Sequence, residues 1–224
     1  MIQQKILSRS LALIAWAPIL FFSILLAHNA MLYFTHGGEY GILPEKRVAM
    51  KDPVWNVAFY VHLPTGVICL LTPVFLFARK YFRQKLQLHQ LLGKIYVWIT
   101  LVLVCPTGMY LALYAKGGLI TQVGFMIQGA LLGIFTYNGY RAALRGNKPA
   151  HVSNMIRSYA VATVVLSFRI LHILFFLLKV PYQDNYAISQ WLGLSSNLLI
   201  AELIIVLACI KFRTSQTYQL KTIN

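Results

Sequence analysis

HVSNMIRSYAVATVVLSFRILHILFFLLKV, residues 151–180, is the stretch whose reading decides the fold. It is long enough to cross a bilayer, which takes roughly 20 apolar residues. Yet it carries His151 at its start, Arg157 about two turns in, and Arg169 and His172 one turn apart in its apolar second half. A charged side chain held in hydrocarbon is costly, so such residues face a bundle interior, a partner or a water-filled path. This segment therefore needs other helices around it, and its ionisable residues are candidate site residues.

Five further apolar segments supply those neighbours. The expected spans run over about 10–28, 54–78, 88–115, 119–140, 151–179 and 189–210. They make residues 1–224 one all-α membrane domain, a polytopic bundle of six transmembrane helices. Lys5 and Arg9 precede LALIAWAPILFFSILLA, a run longer than the roughly 7–15 residues of a signal-peptide core. It reads as an uncleaved first helix, followed by the longest loop, residues 29–53. Pro64 and Pro73 interrupt the second segment, and each frees a carbonyl one turn back. Gly129 and Gly133 form a G-x-x-x-G in the fourth, which admits a neighbouring backbone. Gln122, Gln128 and Asn138 on that segment need partners within the bundle.

Composition agrees. Of 224 residues, 58% are hydrophobic and only 11% charged, with a mean hydropathy of +0.66; a soluble domain carries about 25% charged residues. The net charge of +15 resides in the connectors, with no basic tract interleaved with aromatics and no zinc-finger spacing, which excludes nucleic acid as a partner. Cys69, Cys105 and Cys209 each lie in an apolar run and none forms a C-x-x-C. They read as small apolar filler, and no metal site is expected.

An even number of spans puts both termini on one side. With the termini in the cytoplasm, fourteen of the 20 Lys and Arg fall on that side and five on the other, leaving Arg169 within the membrane. That bias is the positive-inside pattern of a bacterial inner-membrane protein. Tyr182, Tyr186 and Trp191 fit an aromatic belt at the outer interface.

Depth can then be counted at 1.5 Å per residue. His62 lies roughly 12 Å, and His172 roughly 10 Å, below the outer end of its helix. His89 and His151 stand at the inner ends of the third and fifth helices. Two levels of paired histidines are the layout of a membrane b-type cytochrome, in which haem iron takes two axial imidazoles. In that reading His62 and His172 ligate haem b, while His89 and His151 ligate, or help form, an inner redox or quinone site. Arg169 and Glu202 are expected to pair within the membrane, relieving both desolvation costs. Arg157 and Arg169 are the candidate contacts for an anion, a haem propionate or a quinone.

The motifs H89-x-x-x-G93-x-x-Y96, P106-T107-G108, the Gly117-Gly118 turn, and H151-x-x-x-M155-x-R157-S158-Y159-A160 with Phe168-Arg169 resemble the bacterial membrane proteins grouped as domain of unknown function 2306. The likeness covers roughly residues 54–179. It implies an inner-membrane helical bundle with marked His and Arg positions, and it implies no activity. Members commonly carry tryptophan just before the methionine, where this chain has Asn154. Three functions stay open: a haem b electron-transfer or quinone-linked protein with redox partner subunits, a small-molecule or lipid carrier, and a non-catalytic accessory subunit. In each the lipid bilayer is a partner.

Overall fold

A computed structural model of the chain describes residues 2–77 and 86–221, with side chains described for 17–77 and 86–210. Its long helices are α1 (Ile2–His36), α2 (Pro53–Phe77), α3 (Leu86–Ala112), α4 (Gly118–Leu144), α5 (Lys148–Leu177) and α6 (Tyr182–Lys221). Among the described residues, six helices are long and apolar enough to cross a membrane. The basic connector with Arg79, Lys80, Arg83 and Lys85 lies outside the described residues, as do the side chains of Lys5, Arg9, Lys211, Arg213 and Lys221.

The helices alternate in direction, so one end of the bundle gathers the termini and the other gathers three loops. Contacts between those loops tie the loop side together. Lys46 Nζ donates to the Tyr114 carbonyl, Lys116 pairs with Glu45, and Tyr110 donates to Asp52 at 2.5 Å. α2 lies against α1 and α3, and α4 lies against α3, α5 and α6. The G-x-x-x-G of α4 does what its spacing suggests. A Cβ on Gly129 would stand 2.6 Å from Met109 Cγ, and one on Gly133 3.6 Å from Cys105 Sγ, so α3 and α4 touch along that seam.

Two helices depart from regular geometry, each for a local reason. α3 contains a π-helical stretch, Ile99–Val104, immediately before Pro106. Pro106 cannot donate to the ladder, and a widened turn ahead of it absorbs the fault. One extra residue is worth about 100° of helix rotation. Tyr96, before the stretch, reaches Ser158 on α5, whereas Thr107, after it, reaches His62 on α2. α5 is interrupted at Thr163, whose hydroxyl bonds back to the carbonyls of Tyr159 and Ala160, a competition that bends helices. Carbonyls around the break find partners on other helices: Ala160 accepts from Asn197 of α6 and Val161 from Gln128 of α4.

Two expected boundaries change. α1 continues past His28 to His36, because AMLYF resumes the apolar run after the His28-Asn29 pair. α6 starts at Tyr182 rather than near 189, since Asn185 and Ser189 are buried against α5 instead of forming a solvated loop.

The termini-side half is close-packed around Tyr96, Tyr159, Val161 and Val164. A smaller cluster of Leu43, Ala49, Trp55 and Phe59 caps the loop side. Between them lies a cavity.

Candidate functional site

α2 supplies the cavity with a ladder of residues from Trp55 through Phe59, His62 and Gly66 to Leu70. Fifteen residues of helix span about 22 Å, so the space reaches from the loop side well into the bundle. Its volume is about 620 Å³, within the range of roughly 300–1,000 Å³ usual for small-molecule sites. His62, Arg169 and His172, singled out from sequence, all line it.

Both imidazoles are held by bonds that fix the tautomer. The one hydroxyl proton of Thr107 goes to the Leu103 carbonyl at 2.5 Å, so its oxygen accepts from His62 Nδ1 at 3.0 Å. Asn185 donates through Nδ2 to the His172 carbonyl, which leaves its Oδ1 to accept from His172 Nδ1 at 2.9 Å. These bonds place a proton on Nδ1 of each ring, and the Val104 carbonyl is a further hydrogen-bond partner of the His62 imidazole. The His172 ring lies parallel to Phe168 at 5.6 Å and meets the Tyr186 ring edge-on at 4.5 Å. Gly108 makes room for the other imidazole: a Cβ there would stand 2.9 Å from His62 Cε1. The Pro106-Thr107-Gly108 motif is therefore the seat of His62.

Arg169 lines the cavity and stays exposed there, within electrostatic reach of Tyr33 and Tyr186. Among the described residues it pairs with none of the acids, because the ion pairs there are Arg47–Glu39, Lys116–Glu45 and Arg157–Glu202. The expected Arg169–Glu202 pair is corrected accordingly. Glu202 takes Arg157 instead, with Nε to Oε1 at 2.5 Å and Nη2 to Oε2 at 2.8 Å. The reason is the start of α6. Beginning seven residues earlier moves Glu202 about 10 Å further from the loop side, down to the level of Arg157. That fork-to-fork pairing also occupies Arg157, so it is not a free anion contact.

Counted from the observed helix ends, His62 lies about 14 Å, Arg169 about 12 Å and His172 about 8 Å from the loop side. The two histidines share a cavity, but Arg169 is the nearer match to His62 in level. The inner pair does not join this site. His89 and His151 are absent from the cavity wall, and His151 Nδ1 bonds the Gly139 carbonyl of α4 at 2.9 Å. Tyr182 and Tyr186, expected in an interfacial belt, also cluster on His172.

The wall carries further polar groups that sequence reasoning passed over. Asn29 and Tyr33 come from the unexpected extension of α1, and behind the wall Asn185, which holds His172, comes from the unexpected start of α6. Trp55 is 3% exposed, and its indole N–H has no acceptor among the described residues. At the mouth stand Lys46, Lys116 and Glu45; burial holds the Lys46 ammonium below its usual pKa. Deeper down the wall turns apolar, with Cys69, Leu70, Val104, Leu132 and Val165. Among the described residues no three His, Cys, Asp or Glu side chains converge as a metal-binding group, so the two imidazoles are the candidates for holding a cofactor.

The family model for a predicted membrane protein, domain of unknown function 2306, matches residues 59–205. The chain belongs to that family, whose matched span contains His62, Thr107, Gly108, Arg169 and His172. No curated protein and no solved structure matches it.

Proposed function

We propose that this chain is a small-molecule-binding protein of the bacterial inner membrane, a carrier or receptor whose ligand occupies the cavity between α1 and α5. One observation carries the reading: Arg169 faces a cavity of about 620 Å³ with no carboxylate partner among the described residues. An isolated guanidinium at membrane depth is too costly to keep for packing alone, and a ligand acceptor would complete it. The basic bias of the termini side supports an orientation with the termini in the cytoplasm and the cavity mouth facing outward. Reporter fusions after Gly146 and Asn185 should report opposite sides, cytoplasm for the first.

The test of the ligand site uses Gly66, which lines the cavity and has nothing within 4 Å of a built Cβ. Gly66→Leu should fill the space without a clash and with a gain in helix propensity. Small molecules extracted from the purified wild-type protein should be depleted in Gly66→Leu at equal yield. Equal extracts from both would defeat the reading.

A second reading, haem b held by His62 and His172, is supported by the two Nδ1-anchored rings on one cavity wall. Haem would supply one-electron chemistry there, for a quinone or a redox partner subunit. His62 and His172 would be its ligands, and Thr107 and Asn185 would fix the ring orientations. A reduced-minus-oxidised absorption spectrum of protein from a haem-replete host tests it. A b-type band lost in both His62→Ala and His172→Ala would favour haem, and a featureless wild-type spectrum would rule it out.

A further inference from the structure

We propose that the ligand is a single-chain amphiphile with a monoanionic head, a carboxylate, bound head toward the loop side and tail toward the bundle core. This rests on the ligand-site reading and adds the chemistry of the ligand. Three features carry it. The cavity changes character along its length: Arg169 with Tyr33, His62 and Trp55 above, and Leu70, Val104 and Leu132 below. Only a molecule with one polar and one apolar end satisfies both. A donor waits in the upper part, the Arg169 guanidinium, which pairs with no carboxylate among the described residues. A charge at membrane depth calls for a partner, and here a ligand oxygen would supply it.

Charge then chooses the head. Below the mouth lysines, Arg169 is the one Lys or Arg on the cavity wall. It compensates one negative charge, and its planar fork matches a carboxylate through two parallel bonds. A phosphate monoester brings a charge of about −1.5 to −2 and would leave an excess in an apolar enclosure, where uncompensated charge is strongly disfavoured.

The experiment compares decanoate, decanol and decyl phosphate on the full chain in nanodiscs of zwitterionic lipid, at about pH 8, where a carboxylic acid is ionised. The three share a tail, so at matched membrane concentration the apolar contribution cancels and only the head differs. The readout is the part of the tryptophan emission that Trp55→Phe removes. Decanoate should bind about 10- to 100-fold more tightly than decanol, the range for a charge-assisted bond, and more tightly than decyl phosphate. Arg169→Gln should erase the preference over decanol, and Arg169→Lys should restore part of it. Decanol binding as tightly as decanoate would overturn the anionic head while leaving the pocket intact. Tighter binding of decyl phosphate would overturn the monoanion. If no probe changes the emission, while Gly66→Leu still loses its extracted ligand, the amphiphile class is wrong and the ligand site stands. If both fail, the ligand-site reading itself falls. The wild-type comparison needs no variant, so a poorly folding Arg169→Gln does not protect the proposal.

Discussion

α5 carries one arginine in each half of the bundle, and the two have opposite surroundings. Arg157, toward the termini side, is gripped by both oxygens of Glu202. The next residue, Ser158, is fully buried and bridges the Tyr96 hydroxyl at 2.6 Å and the Thr136 hydroxyl at 2.7 Å. Arg169, toward the loop side, faces open space and lacks a carboxylate among the described residues. One arginine is satisfied internally, and the other is left for something that binds. Polar residues in a membrane bundle thus divide into those that complete the fold and those the fold presents.

Stability measurements should separate the halves, and the largest effect belongs to the satisfied one. Ser158→Ala strands two buried hydroxyls, which should cost about 2 kcal/mol, read as a lower midpoint in detergent-based unfolding. Gly108→Ala should come next, because its methyl drives the His62 ring off Thr107. A cost of about 1–2 kcal/mol is expected for such overpacking, together with loss of the ligand-dependent fluorescence. Glu202→Gln should cost about 1 kcal/mol, in the range of partly exposed pairs, and the loss should shrink when Arg157→Gln is already present. A Glu202→Gln loss that is independent of Arg157 would break the pairing. Smallest of all should be the loss in Arg169→Gln, which leaves no internal carboxylate behind and relieves the cost of an uncompensated guanidinium at depth, so the ligand-free midpoint should hold or rise. A loss as large as that of Ser158→Ala would erase the contrast between the halves.

The loop-side cap offers a pH test. Asp52 accepts from Tyr110 at 2.5 Å and from the Val54 amide at 2.9 Å. These bonds, that of Tyr110 foremost, hold its pKa below the usual carboxylate value. A depressed carboxylate pKa means that the unfolded state binds more protons on acidification. Its stabilisation is therefore complete above the unfolded value near pH 4 and is lost as pH falls through the lower folded value. Tyr110→Phe should flatten the acid limb of the stability profile, and an unchanged limb would place acid sensitivity elsewhere.

What the sequence determined by itself was whatever depends on composition along one helix. Six spans follow from apolar length, because a bilayer demands about 20 residues of hydrocarbon contact from any chain. The importance of His62, Arg169 and His172 followed from the cost of polar groups at depth, and all three do line one cavity. The close seam at Gly129 and Gly133 was visible for the same local reason. Which partner each residue takes was decided only by tertiary structure. Glu202 reaches Arg157 because α6 begins at Tyr182, and that start depends on Asn185 and Ser189 being buried against α5. Thr107 meets His62 because a π-helical stretch re-phases α3 ahead of Pro106. A shift of a few residues in a helix start, or of one residue in its winding, moves a side chain by about 10 Å or 100°. No local pattern fixes such shifts, because contacts between helices distant in sequence set them.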